Sequence, residues 1–268
     1  MSAQDARQDA LPTPLDQGRL RRRLSRGEVT FGTFIGNASA VSAEVCAAAG
    51  VDWIVLDLEH GAAGEEEVRH VIPVAAAYGV PTVVRVESPA RIRLGRVLDL
   101  GAAGVMLPRM ETAEEVGEAV RHLRYPPSGD RGVATSTRAS RFGLDIAALA
   151  GADEGVLTVG QSESARAVQN ADDIAAIPGV DVLFVGPRDL THDLGVPGDI
   201  RAPVYLEHVE RVQAAAKRHG KVLGVMTGDG AAAAARRAEG FTFVAIGSDS
   251  LILAAAVAAA MRQARAET

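Results

Sequence analysis

Four apolar runs of the sequence end in, or are followed by, polar side chains that can do chemistry. Asp57-Leu58-Glu59-His60-Gly61 follows the first run, and Arg85 closes the second. Gln161-Ser162-Glu163 follows the third, and Gly186-Pro187-Arg188-Asp189 follows the fourth. Ionisable groups next to apolar runs are costly unless they are solvated, paired or bound to a metal. If the runs are strands of one sheet, these side chains meet at one edge and form a candidate active site.

The residue types at this edge suit metal-assisted enolate chemistry. Glu163 and Asp189 can supply two carboxylate oxygens to one divalent ion, which a 2-keto acid can also chelate. Arg85 would neutralise the developing enolate oxygen, and His60 would move the proton. Taken singly, an Asp after a strand is more often a helix cap, and an Arg there more often pairs with a carboxylate. No lysine ends any of the first six runs, which argues against Schiff-base chemistry.

Eight short runs rich in Val, Ile, Leu and Phe predict eight strands. They cover residues 30–35, 53–58, 81–86, 104–108, 155–159, 182–185, 221–226 and 241–246. Between them lie stretches with helical spacing, at 40–49, 65–77, 92–100, 113–123, 164–177, 205–219, 231–238 and 248–264. Apolar strands that alternate with helices are typical of parallel strands covered on their outer side. No Gly-x-Gly-x-x-Gly turn follows a strand, so the pattern predicts an α/β fold with a single (β/α)8 TIM barrel.

The remaining segments define the domain organisation. We expect residues 1–18 to be a disordered lead-in, because they are mostly polar and contain Pro-Thr-Pro at 12–14, and residues 19–268 to form one barrel domain. A basic helix with a solvated arginine face is expected over residues 19–26. Residues 124–149 are longer than a usual barrel loop and are interpreted as a functional element over the site, with Arg131 as a candidate ligand contact.

Composition excludes several classes of protein. The net charge of −6 argues against a nucleic-acid-binding surface, and 47% hydrophobic residues allow a large core. The single cysteine, Cys46, excludes an intrachain disulfide. The first ten residues lack an apolar segment, and the Ala-rich stretch at 251–261 is too short to span a bilayer. We therefore expect a cytoplasmic protein that binds neither nucleic acid nor membrane.

Four segments resemble the HpcH/HpaI aldolase/citrate lyase family, whose members include 4-hydroxy-2-oxoheptanedioate aldolase and 2-dehydro-3-deoxyglucarate aldolase. The segments are residues 51–61, 124–132, 161–163 and 185–190, in the family's order and spacing. The resemblance extends over residues 28–260. It implies a class II aldolase that reversibly cleaves a 4-hydroxy-2-keto acid to pyruvate, or a similar 2-keto acid, and an aldehyde through a metal-bound enolate.

The resemblance also assigns the principal roles at the site. It implies that Glu163 and Asp189 bind Mg²⁺, Mn²⁺ or Co²⁺ and that His60 is the catalytic base. Arg85 would stabilise the transition state. Asp99 matches the acid that raises the basicity of this histidine.

Further residues receive supporting roles. Asp57 matches an acid near the base, and Gln161 matches a substrate contact. Gly186 and Pro187, next to the metal-binding segment, are expected to contact substrate as well. The family typically assembles as a trimer of dimers that exchange a C-terminal helix, which implies a homo-oligomer, a hexamer. The Ala-rich stretch at 248–264 suits an exchanged helix or one that covers its own barrel.

Two residues depart from the family pattern. Arg188 stands where well-known members carry a small residue, and it either clamps an acidic aldehyde as a substrate-binding residue or points into solvent. Ser162 replaces a bulkier apolar residue and would enlarge or rehydrate the pocket. Neither change removes a metal ligand or the base, so both bear on substrate choice.

Three other functions remain open. One is a lyase that acts on a CoA thioester, like the citrate-lyase β subunit, and another is a biosynthetic variant that forms C–C bonds or decarboxylates. A third is a non-catalytic module that binds a metal or a keto acid. A thioester site must hold adenine and diphosphate, and only Arg85, Arg131 and Arg188 offer positive charge near the expected rim.

Overall fold

The computed structural model describes residues 16–266, which fold into a closed barrel of eight parallel strands. The strands follow one another around the barrel in sequence order, and helices separate them along the chain. This architecture confirms the predicted TIM barrel. The predicted lead-in at residues 1–18 lies outside the described residues except for 16–18.

The strands and helices have the following bounds. The strands are β1 Thr30–Ile35, β2 Trp53–Asp57, β3 Thr82–Arg85, β4 Gly104–Leu107, β5 Leu157–Ser162, β6 Val182–Val185, β7 Val222–Thr227 and β8 Phe243–Ser248. The first helices are α1 Arg19–Ser25, α2 Ala40–Ala48, α3 Glu65–Ala77, α4 Arg91–Asp99, α5 Ala113–His122 and the short α6 Ala152–Gly155. The later helices are α7 Ala165–Gln169, α8 Ala171–Ala176, α9 Pro187–Asp193, α10 Pro203–Arg218, α11 Gly230–Ala238 and α12 Asp249–Ala266. Two 3₁₀ segments, Arg138–Gly143 and Ile146–Gly151, lie between α5 and α6.

Aromatic side chains fill the barrel interior and make it a packed core. The Trp53 ring stacks on Phe243 with centroids 3.9 Å apart, and its indole N–H donates to Thr30 Oγ1 at 3.0 Å. Glycine at position 32 makes room for this ring, because a Cβ there would overlap it. Helix α1 contributes buried Leu20 to the same cluster. The predicted basic helix therefore also packs its apolar face on the barrel interior.

Helix α3 illustrates how the outer layer covers the strands. Val68, Val71, Ile72 and Ala75 are buried and recur at helical spacing, while three glutamates occupy the first turn. Acidic residues at this end suit the helix dipole. None of the helices between residues 16 and 266 has the length and apolar character needed to cross a membrane.

Two predicted elements differ in the structure. Strand β5 begins at Leu157 and ends at Ser162, later than the predicted 155–159, so that Gln161 lies inside the strand. The helix predicted over 164–177 is two helices that meet at Asn170. The Asn170 side-chain amide donates to the Glu111 carbonyl at 2.8 Å, which ties the break to the neighbouring β4–α5 loop.

The long segment between α5 and β5 lies at the amino end of the barrel. It leads from a helix into the next strand, and such connections lie opposite the carboxyl ends of the strands. Arg131 in this segment is buried, donates to Asp99 Oδ1 at 2.7 Å and stacks over the Tyr125 ring at 4.4 Å. The prediction that this segment and Arg131 cover the active-site rim is therefore wrong.

Helix α12 extends away from its own barrel. Asp249 is buried at its start, and every residue from 250 to 266 is exposed. The exposed side chains include large apolar ones: Leu251, Ile252, Leu253, Val257 and Met261. The alternative in which this helix covers its own barrel is therefore wrong for the single chain.

Candidate active site at the carboxyl rim

A buried ion pair joins the ends of β2 and β3. Arg85 donates from Nε to Asp57 Oδ1 at 2.8 Å and from Nη2 to Asp57 Oδ2 at 2.7 Å, a two-pronged geometry that only arginine provides. Burial raises the pKa of Asp57, but the hydrogen bonds and positive charge of Arg85, together with the backbone N–H groups of His60 and Glu59, outweigh it and hold that pKa below its usual range. The Arg85 guanidinium also lies 5.1 Å from the Phe34 ring centroid. Arg85 is therefore a fixed cation at the rim.

The turn after β2 places His60 beside this pair. Asp57 Oδ1 accepts the backbone N–H groups of Glu59 at 3.0 Å and His60 at 3.3 Å, so one carboxylate fixes both the turn and Arg85. Gly61 completes the turn, because a Cβ at this position would overlap the Asp57 carbonyl oxygen. The His60 side chain is 65% exposed and open to a substrate at the rim.

Glu59 also belongs to the site, although no separate role is predicted for it from its residue type and position. Its Oε2 atom lies 3.1 Å from Arg85 Nη1 and 3.8 Å from His60 Nε2, and makes no hydrogen bond among the described residues. Burial and the neighbouring Asp57 and Asp189 raise the pKa of Glu59, against the attraction of Arg85. The Asp-x-Glu-His-Gly motif contained the signal, but sequence could not say that this glutamate turns inward toward Arg85.

Glu163 is a buried carboxylate that receives two hydrogen bonds. Its Oε1 accepts the Arg109 backbone N–H at 2.7 Å, and its Oε2 accepts from Gln161 Nε2 at 2.9 Å. Burial raises its pKa, the Arg109 hydrogen bond opposes this, and repulsion by Asp189 and Glu59 adds to it, with the result at about 7. The two hydrogen bonds therefore do not fully compensate the negative charge of the ionised Glu163 side chain.

Asp189 lies close to Glu163 from the next strand of the barrel. It is the third residue of α9, which starts directly after β6, and in residues 16–266 its side chain forms no ion pair. Gly186 precedes it and leaves space at Glu163, because a Cβ there would lie 2.8 Å from Glu163 Oε2. Pro187 begins the helix. The arrangement keeps two carboxylates together with room beside them.

The other predicted residues occupy different environments. Gln161 is buried and its Oε1 has no hydrogen-bond partner in the described chain, which leaves an acceptor for a ligand. Ser162 is also buried, whereas Arg188 is exposed at the start of α9. Asp99 is the last residue of α4, at the amino end of the barrel, where it pairs with Arg131. Within one chain Asp99 is therefore not brought together with His60.

The carboxylate pair fits a hard divalent cation. Across residues 16–266, no group of three or more His, Cys, Asp or Glu side chains is arranged to hold a metal ion. Glu163 and Asp189 nevertheless provide two oxygen donors, and Mg²⁺ typically takes one or two protein carboxylates and keeps several waters. The raised pKa of Glu163 and the space beside Gly186 both fit a cation that compensates these charges.

Comparison with known proteins shows the family. Residues 30–256 match the model of the HpcH/HpaI aldolase/citrate lyase family, and the chain belongs to it. The resemblance seen in the sequence is thereby confirmed.

Several relatives are similar over nearly their whole length. A hydroxypyruvate/pyruvate aldolase from Paraburkholderia phytofirmans is 36% identical over 252 residues, which cover 92% of this chain and 97% of the relative. A 4-hydroxy-2-oxovalerate aldolase from Rhodococcus jostii is 39% identical over 239 residues, 87% of this chain and 91% of the relative. The crystal structure of a family protein from Burkholderia cenocepacia has a TM-score of 0.88 at 38% identity and covers 92% of this chain and 99% of its own.

Citrate-lyase relatives are more distant. The citrate lyase β subunit from M. tuberculosis has a TM-score of 0.55 at 22% identity, with 85% of this chain and 95% of that chain covered. This likeness shows the fold alone. The more similar relatives are named as aldolases, which are carbon–carbon lyases, and class II aldolases of this family generally depend on a divalent metal.

Proposed function

We propose that this protein is a divalent-metal-dependent class II aldolase that reversibly cleaves a 4-hydroxy-2-keto acid to pyruvate, or a similar 2-keto acid, and an aldehyde. The observation that carries the proposal is the buried Glu163 beside Asp189, on the rim that also presents His60 and the Arg85–Asp57 pair. The aldolase relatives support the same reaction class.

The chain's own residues account for charge and proton movement. In cleavage the C4 hydroxyl loses its proton, the C3–C4 bond breaks, its electron pair becomes an enolate, and the enolate is then protonated at C3. We assign His60, exposed at the rim, as the group that accepts and returns the proton. Arg85, held rigid by Asp57, stabilises the negative charge on the enolate oxygen. The unpaired Gln161 Oε1 accepts a hydrogen bond from the substrate.

Glu163 and Asp189 would hold Mg²⁺, Mn²⁺ or Co²⁺. When bound, the ion would polarise the keto group and stabilise charge on its oxygen. Gly186 and Pro187 would keep the adjacent space open for substrate. The single cysteine suits the reducing cytoplasm, where we place the enzyme.

A CoA-thioester lyase fits the structure less well. The thioester needs positive charge for its diphosphate, and Arg131 is buried at the opposite end of the barrel. Arg85 is already committed to two carboxylates, so that Arg188 is the only one of the three arginines considered for this role that is exposed at the rim. No specific contact in the described chain favours this alternative over the aldolase.

We further propose that the active enzyme is a homo-oligomer, a hexamer built as a trimer of dimers. Exposed apolar side chains along α12 suit a helix that packs on a partner subunit. Asp99 is the last residue of α4, at the end of the barrel opposite His60 of its own chain. We propose that it raises the basicity of His60 in another subunit. In that arrangement the site is complete only between subunits.

Exchange of pyruvate methyl protons tests the proposed reaction directly. The purified protein is incubated with pyruvate in D₂O with Mg²⁺ or Mn²⁺, and the methyl signal is followed by NMR before and after addition of EDTA. We expect metal-dependent loss of the signal, abolished in Glu163→Ala and retained in Glu207→Ala, which alters an exposed carboxylate on α10. If the folded protein shows no exchange with any divalent ion, the pyruvate aldolase assignment is wrong.

A further inference from the structure

Glu59 is a largely buried carboxylate that takes no part in the charge and proton movements assigned to the other rim residues. Its side chain is 17% exposed, and its Oε2 atom forms no hydrogen bond in the part of the chain that the structure describes. A buried carboxylate oxygen that accepts no hydrogen bond is costly to the folded state. This cost suggests that Oε2 accepts a hydrogen bond at some stage of the reaction.

The Glu59 carboxylate lies between Arg85 and His60. Its Oε2 atom is 3.1 Å from Arg85 Nη1 and 3.8 Å from His60 Nε2. Arg85 is itself held by Asp57 through two hydrogen bonds, so it fixes the position of the carboxylate that it attracts. A movement of about 1 Å would bring the imidazole N–H within hydrogen-bond distance of the free Oε2 acceptor. His60 is 65% exposed and can make this movement while it stays open to a substrate at the rim.

The charges of the rim leave a place for a protonated His60. Arg85 is a buried cation of this rim. The acids that act on it or on one another around it are Asp57, Glu59, Glu163 and Asp189. When ionised, these four acids exceed the charge of Arg85 by three, and a divalent cation at Glu163 and Asp189 would reduce the excess to one negative charge. An imidazolium at His60 would cancel this last charge, whereas the exposed arginines near the rim are screened by solvent.

We propose that Glu59 is a positioning residue for His60, and that its carboxylate accepts a hydrogen bond from the protonated ring during proton transfer. The proposal rests on the proposed aldolase function, in which His60 accepts the proton of the C4 hydroxyl and returns it to the enolate. While His60 carries that proton, Glu59 supplies the opposite charge and holds the ring in place. Glu59 itself gains and loses no proton, and Arg85 keeps the carboxylate fixed throughout.

The first measurement compares two Glu→Gln variants in the metal-loaded enzyme. Glu59→Gln removes the charge and keeps the shape of the side chain. Glu118→Gln is the matched control, because Glu118 Oε1 also lies 3.8 Å from the Nε2 atom of a histidine, His122, but is 70% exposed on the outer helix α5. In Glu59→Gln we expect kcat for exchange of pyruvate methyl protons to fall about tenfold, with KM for pyruvate within about twofold of the control.

The second measurement, on metal-free protein in EDTA, distinguishes this role from mere support of Arg85. Diethyl pyrocarbonate modifies neutral imidazole, so the rate of His60 modification, followed by peptide mass spectrometry, rises with pH as the ring loses its proton. We expect the midpoint of this profile to lie about half a pH unit lower in Glu59→Gln than in Glu118→Gln, because the imidazolium has lost its counter-charge. A role limited to holding Arg85 would lower kcat and leave the midpoint unchanged. Both proteins retain Asp99, so the difference between them reports on Glu59 alone.

The outcomes separate this proposal from the proposed function. An unchanged midpoint, or an unchanged kcat in folded Glu59→Gln, overturns the role of Glu59. If Glu59→Gln does not fold, Glu59→Asp replaces it, because it keeps the charge but draws it back from the ring. Its midpoint must then lie below that of the control by a smaller amount, and an equal midpoint overturns the proposal. Absence of pyruvate exchange in the unaltered enzyme is instead a failure of the aldolase function, and the role of Glu59 falls with it.

Discussion

Asp57 and Glu163 are both buried acids of the rim, and their pKa values move in opposite directions. Arg85 contributes two hydrogen bonds to Asp57 and lowers its pKa, in spite of burial. Burial raises the pKa of Glu163 to about 7, and its two amide hydrogen bonds do not compensate for the nearby Asp189. Asp57 therefore holds Arg85 in place, whereas Glu163 can bind a proton near neutral pH and would release it when a cation binds.

The Glu163 carboxyl makes the stability of the metal-free protein depend on pH. Because its pKa rises from 4.5 to about 7 on folding, the folded chain keeps a proton that the unfolded chain releases. Its stabilising contribution is complete below pH 4.5 and is lost as pH rises through about 7. In EDTA, we expect the free energy of unfolding relative to Glu163→Gln to fall by up to about 3 kcal/mol across this range. Urea denaturation at several pH values measures it, and parallel pH profiles for the two proteins would contradict the assignment.

Asp57→Asn tests the anchor. The amide keeps an acceptor for the turn but loses the charge and the second acceptor, which leaves the buried Arg85 without its main partner. We expect a loss of about 3–5 kcal/mol in the free energy of unfolding, as for a broken buried ion pair. We also expect kcat to fall about 100-fold because Arg85 is no longer fixed. Glu207→Gln, in an exposed pair with Arg211, should change neither quantity appreciably. Full activity in a destabilised Asp57→Asn protein would show that Arg85 needs no anchor.

At the scale of elements, the turn after β2 is built for close approach. Gly61 lies so close to neighbouring backbone that a Cβ added there would overlap the Asp57 carbonyl oxygen and lie 3.0 Å from the Gly36 carbonyl oxygen. We expect Gly61→Ala to displace His60 and lower kcat about tenfold or more, with a loss of about 1–3 kcal/mol in stability. Gly64→Ala is the control, because a Cβ there meets only the flexible Glu67 carboxylate at 3.4 Å. Equal kinetics in both variants, measured with pyruvate exchange, would argue against a tight turn.

The fold was predictable because its signals are local and repeated. The bounds of β1, β6 and α3 follow directly from runs of apolar residues and from helical spacing. Strand β5 was misplaced because Gly155 and Val156, which look like the start of a strand, close α6 and lead into the barrel. A short run of small and apolar residues occurs both at the end of a short helix and at the beginning of a strand, so it does not distinguish the two.

Parts of the site depended on contacts that sequence does not encode locally. His60, Arg85, Glu163 and Asp189 were found because each follows a strand, and parallel strands end at the same rim. Glu59 was missed because its role depends on the direction of one side chain within a turn. Segment 124–149 was placed at the wrong end because its length suggested function, whereas its position between a helix and the next strand decides its location.

At the scale of the molecule, a single chain leaves surfaces that a partner would complete. A cavity of about 740 Å³ on the outer face is lined by α3, α4 and the segment before β5, and Asp99 lies in its wall. Phe142, 65% exposed at this cavity, and Leu144, 80% exposed beside it, would be unusual on a permanently solvated face. These features support a neighbouring subunit at Asp99 and a second contact through α12.

If Asp99 of one subunit serves His60 of another, two inactive proteins should restore each other. His60→Ala and Asp99→Ala each disable every site of a uniform oligomer, but a mixed oligomer contains sites that combine the intact Asp99 of one chain with the intact His60 of another. After co-refolding or co-expression we expect pyruvate exchange to return to about a quarter of the unaltered level, the share of such sites under random assembly. Mixing His60→Ala with Glu163→Ala is the control, because each site receives both of these residues from the same chain. Every site in this mixture therefore carries one of the two substitutions and remains defective. Recovery only in the first mixture requires a site shared between subunits, and its absence in demonstrably mixed oligomers would mean that Asp99 acts within its own chain or only structurally.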